Sequence, residues 1–316
     1  MRNFFSRQWF LVTLSLMLVI GFSCSEQLEP IANARWLSKF LLASVLFVMA
    51  FPLQTQVMLG TLARPWAAIL ASLINLGLLP VLAWAMSKAL SYEMAVGLMV
   101  AATVPSTLAS GAVWTRRAGG NDAVAMLVTV ITNVLCFAVT PAWLAILVGQ
   151  SEKLDFLQMV SKLALFVVLP MAVAQMFRQR RAVGEWATAR KKQLSTYAQL
   201  GILTMVLIGA IRSGQQLRAN GVDAGLPIGA MLKMVVAVVI LHLGVLFFAR
   251  AFARVLKFER ADQIAIAISG SQKTLMVGLS IAIEYFGGLA ILPMVTYHIV
   301  QLCLDTLIAD RWAKES

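Results

Sequence analysis

The sequence predicts an all-α membrane protein of ten transmembrane helices built as two inverted five-helix repeats. Three observations carry that prediction. First, 60% of the 316 residues are hydrophobic and only 13% charged, with a mean hydropathy of +0.83; a soluble domain carries about 25% charge. Second, long stretches hold no charge at all, among them Phe40 to Ala63, Pro65 to Ser87, Ala123 to Ser151, Gln193 to Ile211 and Tyr285 to Leu304. A helix needs roughly 20 apolar residues to cross the hydrocarbon. Third, one apolar segment in each half is interrupted near its middle, and it is the fourth segment of its half both times.

In chain order the spans fall near residues 8–24, 37–59, 65–88, 93–117, 121–149, 155–177, 195–212, 225–249, 262–286 and 288–309. The opening MRNFFSRQWFLVTLSLMLVIGFSC has the basic start, apolar run and cysteine of a lipoprotein signal. Phe22 is bulky where cleavage wants small residues, so the segment reads as the first helix. Five spans precede the connection at 150–154 and five follow, which divides the chain at 1–150 and 151–316. An odd number per half gives the halves opposite orientations, as in transporters with inverted repeats.

The formal charge of +12 does not call for nucleic acid as a partner, because the basic residues sit in short gaps between spans. With both termini inside, Arg35, Lys39, Lys88, Lys153, Lys162, Arg212 and Arg218 fall outside, and Lys233 and Lys273 fall within spans. Of the 26 basic residues, 26 minus these 7 and 2 leaves 17 on the cytoplasmic side. That bias sets cytoplasmic termini, expected in a bacterial inner membrane. Trp9, Trp36 and Trp66 suit the interfacial belt. Cys24, Cys136 and Cys303 offer neither a disulfide framework nor metal-ligand spacing. The largest polar piece, RQRRAVGEWATARKK, reads as a short basic loop.

The interruptions carry the chemistry. In VPSTLASG, Pro105 removes an N–H and clashes with the preceding turn, while Ser106, Thr107, Ser110 and Gly111 follow. Open backbone at membrane depth is tolerated only against protein or a water-filled cavity. The alternative is an ordinary proline kink. In SGSQKT, Gly270 relaxes the backbone beside Ser269, Ser271, Gln272, Lys273 and Thr274. An ammonium at the middle of a span costs several kcal/mol unless compensated (~3 on insertion scales). Lys273 could bind and release a proton, hold an anionic substrate, or serve as a structural ammonium on carbonyls of the opposing break.

Thr129, Thr132 and Asn133 share one helix face and either line a cavity or join helices. Asn75, Lys233, His242, His298, Gln301 and Asp305 are further intramembrane polar groups, with Asp305 expected to pair locally near the cytoplasmic end and Glu284 expected to be wet. No nucleotide-binding fingerprint and no HExxH motif occurs, and His242 and His298 are isolated in sequence. No enzyme is expected. Two facing discontinuities point to a transporter rather than a structural or regulatory membrane protein.

TVPSTLASGAVWTRRAGGNDAVA and ISGSQKTLMVGL resemble the bile acid:sodium symporter family, and within it a branch of uncharacterised bacterial sodium-dependent transporters related to the seventh human member. The resemblance covers essentially the whole chain. It implies a panel of helices 1, 2, 6 and 7, and a core of helices 3–5 and 8–10 in which broken helices 4 and 9 cross. It further implies an organic-anion cavity between panel and core, driven by sodium, with the lipid bilayer as surroundings. No cofactor is implied beyond sodium as coupling ion.

Family members that transport bile acids have a PGGTASN type of stretch at the first crossing and E…QN at the second. Pro105, Ala109 and Ser110 match the first, with Gly111 in the asparagine's place. Thr129 matches a sodium-ligand threonine, while Ala125 replaces a ligand serine. Gln272 matches the glutamine, whereas Ile268 stands at the glutamate and Lys273 at the asparagine. The resemblance therefore assigns ion binding or coupling to Ser110, Thr129, Gln272 and Lys273. The expected substrate contacts are Ser106, Thr107, Ser110, Asn133, Ser271, Lys273, Thr274 and His298. Two unit charges 4 Å apart repel by about 4 kcal/mol at an effective dielectric of 20, so a charged Lys273 and a second sodium are not expected together without another counter-ion. The expected function is secondary transport of an organic anion with altered or reduced sodium sites and Lys273 as a cation surrogate. The alternative is a proton-coupled exporter or antiporter of amphipathic cargo.

Overall fold

A computed structural model describes residues 2–53, 60–61, 65–108, 110–148, 154–219 and 228–314, with side chains from residue 9 onward except that of residue 35. All regular structure among the described residues is helical, with no strand among them. Ala109, residues 54–59 of the second expected span and most of the 150–154 connection lie outside the described residues, as do Arg64 and Lys153 and the side chains of Arg2, Arg7 and Arg35.

The helices are α1 (Arg2–Ser23), α2 (Glu29–Asn33), α3 (Arg35–Ala50), α4 (Trp66–Ser87), α5 (Tyr92–Thr103), α6 (Ser110–Arg117) and α7 (Asp122–Leu147). They continue with α8 (Phe156–Arg178), α9 (Arg181–Ala189), α10 (Lys191–Ala219), α11 (Ile228–Val255), α12 (Arg260–Ser271), α13 (Leu275–Ile281, extended by the π turn Ala282–Phe286) and α14 (Ile291–Ala313). Among the described residues seven continuous or once-broken segments are long and apolar enough to cross a membrane, and Trp9–Ser23, Trp36–Ala50 and Tyr92–Thr103 are shorter apolar helices. Large apolar side chains such as Leu73, Ile146, Leu157, Leu232 and Leu307 stand exposed around the outside. A soluble protein rarely shows so much apolar surface; here it faces lipid.

Local sequence explains most helix ends. Asn121 and Asp155 cap α7 and α8 by accepting from Val124 N–H (3.3 Å) and Gln158 N–H (2.9 Å). Pro80 and Pro170 each sit just after a π turn, Ile74–Leu78 in α4 and Ala164–Val168 in α8. A proline cannot donate to the turn behind it, and the wider π turn accommodates that loss. The stretch expected to be a basic loop folds instead as α9. Arg181 and Glu185 pair one turn apart (2.8 Å), Ala187 is buried and Trp186 meets Phe51 edge-on, so a helix gives this polar stretch an apolar side to pack.

Two groups of helices emerge from the packing. α1 and α3 pack on α10, with α8 against α3 and α7, whereas α4, α5, α6, α7, α11 and α14 surround the broken pair α12 and α13. At the closest approach of α1 and α10, a Cβ on Gly21 would lie 2.5 Å from the Ala210 side chain, so only glycine fits. The central stretch of Arg260–Phe286 is buried completely, while that of Phe156–Arg178 is buried over only 22% of its length. The lysine-bearing segment is thus the innermost part of the molecule.

Candidate functional site: two crossed breaks

Helix α5 stops at Thr103 because Pro105 forces the residue before it out of the helical region; Val104 is extended, with ψ 159°. Residues 105–107 carry no regular structure before α6 begins at Ser110. On the other side Gln272 (ψ 145°) and Thr274 (ψ 129°) are extended between α12 and α13. The break therefore lies after Gly270, which is itself helical. Its missing Cβ serves close packing instead: a Cβ there would approach Ile74 at 3.2 Å and the Ala71 carbonyl at 3.7 Å. The two breaks touch directly, Thr274 N–H donating to the Pro105 carbonyl at 2.9 Å.

Breaking two helices at membrane depth frees carbonyls that must find donors. In the first break, Val104 O accepts from Lys273 Nζ (2.9 Å), Ser106 O from Asn133 Nδ2 (2.9 Å) and Thr107 O from Thr129 Oγ1 (3.1 Å). In the second, Ser269, Gly270 and Gln272 carbonyls all accept from Asn75 Nδ2, at 3.1, 3.3 and 2.8 Å. Ser271 O accepts from Tyr297 OH (2.7 Å), and Lys273 O from Gln301 Nε2 (2.9 Å). Gln301 Oε1 also accepts from Lys273 N–H (2.9 Å), so one amide brackets the lysine's backbone on both sides.

Lys273 is 1% exposed, and its ammonium donates to Asn75 O (2.7 Å), Asn75 Oδ1 (3.0 Å) and Val104 O (2.9 Å). Asn75 O is free to accept because it belongs to the π turn that leads into Pro80. The neighbouring Leu76 O, similarly short of a donor, takes Trp143 Nε1 at 2.6 Å. The ammonium thus has one oxygen for each of its three N–H bonds, the full complement it can use.

The other expected residues divide around this centre. Ser106 Oγ donates to Ser269 O (3.1 Å), and its backbone N–H donates to Thr132 Oγ1 (3.2 Å), which ties α7 to both breaks. Ser110 Oγ reaches Thr107 Oγ1 (3.4 Å) and Gln272 Oε1 (3.3 Å). A Cβ on Gly111 would sit 3.3 Å from Gln272 Oε1 and 3.9 Å from Thr129 Oγ1, so these oxygens cluster around the glycine. Asn133 Oδ1 and Ser269 Oγ are buried without a partner among the described residues. Ser271 Oγ is spent within its own helix, on Ala267 and Ile268 carbonyls, and the Thr274 side chain is buried. His298 lies a turn away on α14, bonded to Gln301 (3.0 Å) and edge-on to Phe10 of α1.

Asp305 departs from its expected local pairing. It is 1% exposed and reaches His242 Nε2 (2.9 Å) on α11 and Gln272 Nε2 (2.5 Å) at the second break. The other His242 ring nitrogen is 3.4 Å from Ser271 O, and the ring meets Tyr297 edge-on. A carboxylate is therefore present at the second break, brought by α14 rather than by the segment in which Ile268 stands. Sequence spacing could not show this, because His242 and Asp305 meet only through packing of α11 on α14. Glu284, expected to be wet, is 30% exposed and bonded to Lys162 of α8 at 2.7 Å.

A profile of the SBF-like CPA transporter family matches residues 8–314. The chain belongs to this family. It is 26% identical to the sodium-dependent transporter YocS of Bacillus subtilis, across 98% of this chain and 92% of that one. A chloroplastic protein of Oryza sativa subsp. indica, named a probable sodium/metabolite cotransporter BASS4, is 26% identical across 95% and 75%. Sodium/bile acid cotransporter 7-B of Xenopus laevis is 20% identical across 96% and 90%. The chain is accordingly a multi-pass secondary transporter and not an enzyme.

Proposed function

We propose that this protein is a secondary active transporter of an organic anion in which Lys273 replaces one of two coupling sodium ions. The observation that carries the reading is the Lys273 ammonium held by Asn75 O, Asn75 Oδ1 and Val104 O between the two breaks. That is an oxygen cage of the kind a hard cation uses, already filled by a tethered positive charge. A sodium ion beside it would meet both that charge and carbonyls already supplied with donors. The oxygens beside Gly111, contributed by Gln272, Ser110 and Thr129, remain the place for a single sodium.

Ten spans in two inverted five-helix repeats, 1–150 and 151–316, suit this reading. The group α1, α3, α8 and α10 would be the panel and the remainder the core, with both termini cytoplasmic in a bacterial inner membrane. The names of the relatives support sodium coupling and a metabolite or bile-acid type of substrate. A second reading, proton-coupled export or exchange, is favoured by the His242–Asp305 pair, whose side chains are completely buried.

Uptake into proteoliposomes under imposed sodium or proton gradients, across an anion library, separates the two. Anion uptake driven by sodium, altered in Lys273→Ala, supports the first reading. Uptake driven by protons alone supports the second. Unchanged, fully sodium-dependent transport by Lys273→Ala contradicts the surrogate role.

A further inference from the structure

A second polar centre lies away from the crossing, in a cavity of about 460 Å³ walled by α3, α8, α10 and α13. Its lining includes Lys39, Lys162, Arg212 and Glu284, together with Ser38 and Tyr285. Three cations against one carboxylate leave two positive charges in excess. Ile283 and the ring of Tyr285 are the apolar members of the nine residues in its wall. Lys39, Lys162 and Arg212 are half-buried and Glu284 is exposed, so the wall is open to water and presents a net positive face that attracts anions.

The charges are arranged unevenly. Lys162 Nζ donates to Glu284 Oε1 (2.7 Å) and Gln158 Oε1 (2.8 Å) and lies 5.2 Å from the centre of the Tyr285 ring. Arg212 donates to the Ile283 and Ala32 carbonyls, at 3.1 and 2.8 Å, and so stays charged and fixed in place. Lys39 has no carboxylate partner among the described residues, only the face of Phe166 at 5.9 Å. Independently of the charges, Ser38 Oγ and Tyr285 OH are shielded from solvent, Ser38 Oγ with no hydrogen-bond partner among the described residues and Tyr285 OH with none but the neighbouring Lys162. A buried hydroxyl without a partner costs about 1–3 kcal/mol, and both of these belong to the wall of this cavity.

We propose that this cavity is a substrate site and that it selects a small hydrophilic dianion, such as a four-carbon dicarboxylate, over an amphipathic anion. The inference rests on the organic-anion reading above and narrows its substrate class. One carboxylate of the ligand pairs with Lys39, with Ser38 donating to it. The other shares Lys162 with Glu284, and Tyr285 donates its hydroxyl. The dianion cancels the cavity's excess charge, which a monoanion leaves half uncompensated. An amphipathic ligand needs an extended apolar wall for its tail, and this one supplies only Ile283, the Tyr285 ring and the stems of its polar side chains. Glu284 is the internal counter-charge: it holds Lys162 in place when the site is empty and competes with the ligand when it is full.

The test measures binding of succinate, a monocarboxylate and a steroid carboxylate to the purified full-length protein by titration calorimetry, with proteoliposome uptake of the same three anions. Succinate is expected to bind and be taken up in preference to the other two. Lys39→Gln should weaken its binding by about tenfold or more, the loss of one charge-assisted contact, whereas Lys39→Arg should retain it. Glu284→Gln should tighten binding, an outcome a merely structural role for the Lys162–Glu284 pair does not give. Transport of the steroid carboxylate with succinate inert, or Lys39→Gln without effect on succinate, overturns the dianion site while leaving organic-anion transport standing. Uptake of no organic anion at all overturns both.

Discussion

The two breaks do the same geometric job by different means. The one between α5 and α6 is written locally, since Pro105 drives Val104 into an extended conformation whatever surrounds it. The one between α12 and α13 has no proline. It is held open from outside, by Gln301 bracketing the Lys273 backbone, by Asn75 serving three carbonyls, and by the lysine's own ammonium reaching back to α4 and the first break. The first is uncharged, and the second carries the only ammonium among the described residues that is fully enclosed by the core. A break held by partners can change when those partners move, whereas a break set by proline cannot. The comparison therefore places the adjustable element on the lysine side.

Substitutions can break this contrast in descending order. Lys273→Ala removes three bonds worth roughly 0.6 kcal/mol each in membranes and leaves a cavity where its stem packed. A loss of about 4 kcal/mol is expected, seen as a large drop in thermal unfolding temperature in detergent. Asn75→Leu strips donors from three carbonyls and one acceptor from the ammonium, at a cost of about 2–3 kcal/mol. Gln301→Leu frees both backbone groups of Lys273 and should cost about 2 kcal/mol. Hydrogen exchange should rise at 272–274 while 104–107 stay protected. Pro105→Ala lifts the local restriction on Val104 and should raise hydrogen exchange at 104–107 while 272–274 stay protected, at a cost of about 1 kcal/mol because Thr129, Asn133 and Thr274 still bond the segment. If Pro105→Ala raised hydrogen exchange at 272–274, or Gln301→Leu raised it at 104–107, the division into a locally written and an externally held break would be wrong.

The same contrast explains what could be read from the chain. The spans and the first break were legible because apolar length and proline act locally. Lys273 was legible as an anomaly, and its structural role on the opposing carbonyls was one of the alternatives the sequence offered. The partners were not legible. Asn75 lies 198 residues from Lys273 and shows only as one polar residue in an apolar span. Asp305 looked like a residue of the helix end, yet α14 carries it to His242 and Gln272, a pairing that no local pattern encodes. The helical form of Arg181–Ala189 was hidden by its polarity, since its apolar side is only Val183, Ala187 and part of Trp186. The basic cavity was hidden in the same way, assembled from four helices whose charges each looked like an ordinary membrane-edge residue.

The central claim is that the Lys273 ammonium occupies a cation's place between the breaks. The most direct measurement is thermal unfolding of wild type and Lys273→Ala in sodium and in choline at equal ionic strength. Vacating the cage should let sodium enter it, so sodium should stabilise the variant more than it stabilises the wild type. An equal sodium response in the two proteins, with little change in unfolding temperature between them, would contradict the account.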